Sequence, residues 1–110
     1  HALCMDPGIG FGKSYQENLT LLRDTAHLRL PGYALLVGVS RKRVVGQATG
    51  VEKAADRMLG TVAANVAAIA GGCDIIRVHD VLECVESAKM ADAYFSPVCK
   101  RGGPGRWIKF

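Results

Sequence analysis

Apolar residues fall along this chain in short blocks whose period alternates between two values. Ala2 to Met5 is an unbroken apolar run that reads as the end of a strand. From Tyr15 to about Arg29 the pattern turns helical, with Leu19, Leu22 and Ala26 on one face, and Pro31-Gly32 breaks it. Tyr33 to Val39 is again continuous and apolar, without polar alternation, as expected of a strand covered on both faces. Ser40 to Gly50 reads as a polar loop punctuated by glycine. Ala54 to Ala70 reads as a helix burying Met58, Val62, Val66 and Ile69, and Gly71-Gly72 stops it. Cys73 to Val78 is a third apolar strand. Asp80 can cap a last helix, Val81 to Tyr94, with Val81, Val85 and Ala88 inward. Strands alternating with helices of this length predict β/α units and a parallel sheet.

Composition narrows this little. With 110 residues the chain holds one domain at most, and a charged fraction of 22% suits a soluble core. No apolar run is long enough to span a membrane, and the first residues already look like a strand, so the chain reads as a piece of a longer protein. The net charge of +4 lies entirely in the tail, where Lys100, Arg101, Arg106 and Lys109 stand without an acid. Such a tail can loosely attract nucleic acid or anionic lipid; it reads as a solvated end, with no nucleic-acid or membrane partner. Cys4, Cys73, Cys84 and Cys99 match no zinc spacing, and free thiols in a reducing cytoplasm fit them.

Parallel sheets bind ligands at the carboxyl ends of their strands, and each strand here ends in chemistry. The first runs into Asp6-Pro7-Gly8-Ile9-Gly10-Phe11-Gly12-Lys13-Ser14, with glycines at alternate positions. A P-loop would need glycine where Pro7 stands, and a dinucleotide fingerprint would need it at Lys13, so both registers fail. What remains is a tight connection with Asp6 as a cap, or backbone brought close to a ligand with Asp6 facing an amidine-like edge. The second strand runs into Ser40-Arg41-Lys42-Arg43, where Arg41 and Arg43 suit solvent and Ser40 and Lys42 could face the mouth. The third runs into Arg77-Val78-His79-Asp80. Arg77 and His79 share a face of an extended segment and suit a flat ring or an anion. His1 and His27 read as ordinary histidines. Together these groups suit a planar, hydrogen-bonding heterocycle carrying anionic groups.

Asp6 to Lys13, Leu36-Val37-Gly38-Val39-Ser40-Arg41-Lys42 and Ile76-Arg77-Val78-His79-Asp80-Val81 resemble, in order and spacing, the last three strand-end signatures of dihydropteroate synthase. Asn18-Leu19, Leu21-Leu22, Arg57 and Gly60-Thr61 fit as well. The resemblance covers residues 1–94. It implies the last three β/α units of a TIM (β/α)8 barrel, incomplete in this chain, since such a barrel needs about 250 residues. It implies an enzyme that joins a hydroxymethyl-dihydropterin diphosphate to 4-aminobenzoate, releasing pyrophosphate and dihydropteroate in folate synthesis. Asp6 would hold the aminopyrimidine edge, and Lys42 would contact the pterin and line the aminobenzoate channel. Ser40 would meet the aminobenzoate carboxylate side, and Gly10 and Phe11 would border that pocket. Arg77 would pack on the pterin and, with His79, bind the diphosphate. The catalytic set implied is therefore Lys42, Arg77 and His79. Magnesium would accompany the diphosphate, with its family ligand outside this chain. The full enzyme would be a cytoplasmic homodimer and a sulfonamide target.

Residues 95–110, rich in Gly, Pro and cations, depart from the pattern and read as a disordered or unrelated tail. Two other readings stay open: a related pterin-binding barrel of the corrinoid-methyltransferase type, or a non-catalytic remnant. On any of them the isolated chain is expected to turn over nothing measurable.

Overall fold

A computed structural model describes residues 3–28, 30–95 and 107–109. The first strand, β1, is Leu3–Met5, and helix α1 is Tyr15–Arg23. Helix α1 starts on a capping box: the Glu17 N–H donates to Ser14 Oγ at 3.1 Å and the Ser14 N–H to Glu17 Oε1 at 2.7 Å. The predicted helix to Arg29 is shorter than expected. It ends at Asp24, and Thr25–Leu28 continues as a 3-10 turn in which Ala26 is exposed. Thr25 carries the contact there instead, fully buried, with its hydroxyl donating to the Leu22 carbonyl at 2.7 Å.

Strand β2 is Tyr33–Val37, and Gly38, Val39 and Ser40 continue buried beyond it. The predicted loop that follows is in fact largely helix α2, Arg43–Thr49, closed by Gly50 in the left-handed conformation. Val44 and Val45 enter the core from it. Glycine inside this helix misled the sequence reading. Gly46 is there because the Arg57 guanidinium lies against it, 2.5 Å from where a Cβ would stand. A second short 3-10 turn, Ala54–Asp56, precedes helix α3, Met58–Ala70, so the predicted helix from Ala54 is interrupted at Arg57. The face of α3 turned inward is also shifted. Thr61, Asn65, Ala68 and Ile69 are buried, whereas Met58, Val62 and Val66 are half-buried.

Strand β3 is Ile75–Arg77 and helix α4 is Val81–Phe95. Cys84, Ala88 and Ala91 form the buried stripe of α4, Val85 is half-buried and Val81 is exposed. Cys73 and Cys84 are buried, and burial holds the Cys84 thiol above its ordinary pKa. The Asn65 Nδ2 reaches Cys84 Sγ at 3.6 Å, tying α3 to α4.

All four strands run parallel in the order β1-β2-β3-β4, where β4 is Trp107–Lys109. Leu3 pairs with Tyr33, Leu36 with Ile75, and Ile75 with Trp107. The last pairing brings residues 107–109 of the tail, expected to be disordered or unrelated, alongside β3. An edge strand offers unpaired N–H and C=O groups, and a parallel strand returning after a crossover helix satisfies them. Residues 96–106 and 110 lie outside the described residues. Leu35, Val37 and Ile76 from the strands form the core with Ile9, Val39 and Val78 from the strand ends. Asp74 locks β2 to β3: its carboxylate accepts the Leu35 N–H at 2.9 Å, and its own N–H donates to the Leu35 carbonyl at 2.8 Å.

Candidate active site

Three strand ends build one mouth. After β1, Ile9 is anchored in the core and the residues around it form an exposed turn. Gly8, Gly10 and Gly12 have φ of +73°, +92° and +65°, so the alternating glycines are a conformational requirement of this turn. Asp6 folds back on it, its Oδ1 accepting the Gly8 N–H at 2.8 Å. Lys13 Nζ donates to the Gly8 carbonyl at 3.1 Å, which makes this lysine part of the turn's own frame.

After β2, Ser40 is buried and Arg41 takes φ of +58°, a left-handed residue that turns the chain and aims Lys42 back at the first turn. Lys42 Nζ donates to the Ile9 carbonyl at 2.6 Å and lies 4.9 Å from the centroid of the exposed Phe11 ring. Burial pushes its pKa below the ordinary lysine range; Asp6 opposes that shift and Arg77 adds to it.

After β3, Arg77 and His79 face outward while Ile76 and Val78 are buried. Ser40 Oγ lies 2.8 Å from His79 Nδ1 and accepts the His79 N–H at 3.1 Å. The Ser40 hydroxyl is thus engaged with the histidine. The contact holds the Nδ1 side of the ring.

Asp6, Phe11, Ser40, Lys42, Arg77 and His79 line one open cavity of about 190 Å³. Of the residues singled out in the sequence, Gly10 is not in its wall. It stands just behind, where a Cβ would come within 3.2 Å of Lys42 Cδ.

Sequence reasoning left Arg41 to solvent, and the structure corrects this. Its guanidinium makes a two-pronged contact with Asp80, Nε to Oδ2 at 3.2 Å and Nη2 to Oδ1 at 2.8 Å. Its backbone N–H donates to Thr61 Oγ1 at 3.0 Å, and its carbonyl accepts from Arg57 Nη1 at 3.0 Å. Asp80 therefore serves Arg41 with its carboxylate, while its carbonyl opens α4 by accepting the Cys84 N–H at 3.0 Å. No local pattern signals these ties of Arg41, because partners 16, 20 and 39 residues apart meet only in the fold.

The Arg41 contact holds the Asp80 pKa below its ordinary 3.8 and raises that of Arg41. For a carboxylate lowered on folding, the stabilisation is complete above the unfolded pKa and disappears as pH falls through the folded one. Stability should therefore decline below about pH 3.8. Glu17, lowered by its capping box, contributes in the same direction. The test is therefore a difference: the gap between the urea midpoints of wild type and Asp80→Asn should be smaller at about pH 3 than at about pH 7. Equal separation at both pH values would overturn it.

Residues 1–79 match the family described as pterin binding enzyme. The folic acid synthesis protein fol1 of Pneumocystis carinii is 47% identical over 100 residues, 87% of this chain and 14% of that protein. The dihydropteroate synthase of Synechocystis is 46% identical over 91 residues, covering 83% of this chain and 32% of the relative. The crystal structure of Thermus thermophilus dihydropteroate synthase in complex with 4-aminobenzoate superposes with a TM-score of 0.79 at 42% identity, over 84% of this chain and 36% of that one. The chain thus spans about a third or less of the length of these relatives. With these matches falling on the strand ends that line the cavity, the chain belongs to the pterin binding enzyme family, and the relatives it resembles there are dihydropteroate synthases.

Proposed function

We propose that this chain supplies the last three β/α units of a dihydropteroate synthase barrel, and with them the pterin-facing wall of its active site. The observation that carries the reading is the single cavity gathering Asp6, Lys42, Arg77 and His79 from three successive strand ends. In the reaction the bond between the pterin methylene carbon and the diphosphate oxygen breaks. The electron pair leaves with pyrophosphate, and the amine of 4-aminobenzoate forms the new carbon–nitrogen bond and loses a proton.

Asp6, with one oxygen taken by Gly8, offers the other to the donors of the aminopyrimidine edge. Lys42, held on the Ile9 carbonyl, donates to the pterin and borders the aminobenzoate channel beside Phe11. Arg77 and His79 Nε2 stabilise the departing diphosphate, the charge that develops most in a dissociative cleavage. Ser40 contributes by fixing the His79 ring.

Magnesium belongs with the diphosphate as part of the substrate. Among the described residues no three His, Cys, Asp or Glu side chains gather to hold a metal, and Asp6 is the only acid in the cavity wall. A homodimeric full enzyme is also proposed. An apolar hollow of about 180 Å³ between α1, α2 and α3, bordered by Leu19, Leu22, Ala63 and Ala64, gives such a contact a place. Among the described residues no helix is long and apolar enough to cross a membrane, and the reading is of a cytoplasmic enzyme.

The test compares two preparations. The purified chain should bind pterin weakly and form no dihydropteroate above a Lys42→Ala control, because the rest of the barrel is needed to close the site. A chimera, with residues 3–95 replacing the matching third of the Synechocystis enzyme, should form dihydropteroate. Product from the isolated chain above that control would overturn the claim of incompleteness. A folded chimera that neither binds pterin nor makes product would overturn the function.

A further inference from the structure

We infer that Asn18 is a positioning residue for Lys42, acting through the peptide group that joins Ile9 to Gly10. The inference rests on the reading above that Lys42 works in the cavity. Asn18 lies on α1, 5% exposed, and its Oδ1 accepts the Gly10 N–H at 2.8 Å. The carbonyl of that same peptide is the Ile9 oxygen, which accepts from Lys42 Nζ at 2.6 Å. In a trans peptide the N–H and C=O point in opposite directions. A hydrogen bond that fixes one therefore fixes where the other points. It also polarises the amide, so the carbonyl becomes a stronger acceptor for an ammonium.

The sequence around this relay makes sense only with it. Gly10 has φ of +92°, a conformation that turns the peptide across the mouth. A Cβ there would stand 3.2 Å from Lys42 Cδ, so glycine also leaves room for the lysine stem. The surrounding turn is exposed at Gly10, Phe11 and Gly12, and could not hold one peptide orientation against water by packing alone. A buried amide on the neighbouring helix does so. The charged groups that face Lys42 are Asp6 and Arg77.

The experiment is carried out on the 110-residue chain without substrate, so its failure is distinct from failure of the proposed function. Two NMR observables are followed: hydrogen exchange at the Gly10 amide, and titration of the Lys42 Cε resonance, assigned with Lys42→Arg. Asn18→Leu should cost the Gly10 amide about tenfold in protection, the loss of one hydrogen bond. It should also move the Lys42 titration up toward the ordinary lysine value of 10.5, because a released stem regains solvent. Exchange at Ile76 in β3 should not change. Asn18→Asp, which keeps an acceptor in place, should restore the protection of Gly10. If Ile76 also loses protection in Asn18→Leu, Asn18→Ser withdraws the acceptor with a smaller change in volume, and the same two readouts decide. An unmoved Lys42 titration when Gly10 has lost its protection would overturn the inference. So would full protection of Gly10 without the Asn18 amide.

Discussion

Lys42→Ala should lower kcat/KM for dihydropteroate formation by about 10²–10³-fold in the Synechocystis chimera, the usual effect of removing one preorganised donor from an active site. The magnitude follows from how much the fold invests in this one ammonium. Arg41 adopts φ of +58° immediately before it. The Ile9 carbonyl holds Nζ at 2.6 Å, and the Phe11 ring lies 4.9 Å away. Burial already disfavours its charge, so a substrate oxygen that accepts from it gains more than it would in water. Arg77 also lines the cavity wall, but it leaves from a different strand, so it cannot substitute. Lys42→Arg should not rescue activity, because a planar guanidinium fork does not reproduce the compact ammonium that sits 2.6 Å from the Ile9 carbonyl. Lys42→Met, which keeps the apolar stem, separates chemistry from packing: it should match Lys42→Ala in activity while unfolding close to wild type. A variant within threefold of wild type would show that the ammonium is dispensable.

Gly46→Ala should destabilise the chain by about 2–4 kcal/mol, well above the gain of a few tenths to 1 that this exchange gives at a compatible site. The new Cβ would lie 2.5 Å from Arg57 Cζ and Nε and 2.6 Å from Nη2. Arg57 cannot simply move aside. Its guanidinium donates to the carbonyls of Val51 at 2.9 Å, Arg41 at 3.0 Å and Glu52 at 2.6 Å. Displacing it forfeits three charge-assisted bonds and frees the carbonyl of the left-handed Arg41, one residue before Lys42. Arg57→Ala should cost a similar amount, and the double variant little more than either single one, because both changes break the same clamp. Urea unfolding of the four proteins tests this. Additive effects, or a Gly46→Ala midpoint equal to wild type, would rule out the clamp.

Much of the fold was legible because β/α units repeat a simple alternation. The apolar blocks at Leu3–Met5, Tyr33–Val37 and Ile75–Arg77 are the strands that pair in parallel, and each has chemistry at its carboxyl end. Helix α2 was missed because Gly46 and Gly50 look like loop punctuation, whereas one makes room for Arg57 and the other caps the helix. The inward face of α3 was misplaced because Thr61 and Asn65 are polar, yet both are buried with partners on other elements. The tie of Ser40 to His79 was hidden for the same reason: the two are 39 residues apart.

The sequence alone determined which polar residues stand at the strand ends: Asp6, Lys42, Arg77 and His79 are named by residue type and by their place after apolar runs, and both are local properties. Only the tertiary structure decided how those groups are held. The ties from Asn18 to Gly10, from Ser40 to His79, from Arg41 to Asp80 and from Arg57 to Arg41 are hydrogen bonds between polar groups that are distant in sequence. Their partners are chosen by geometry at a few ångströms, and no periodicity along the chain encodes a distance of that kind.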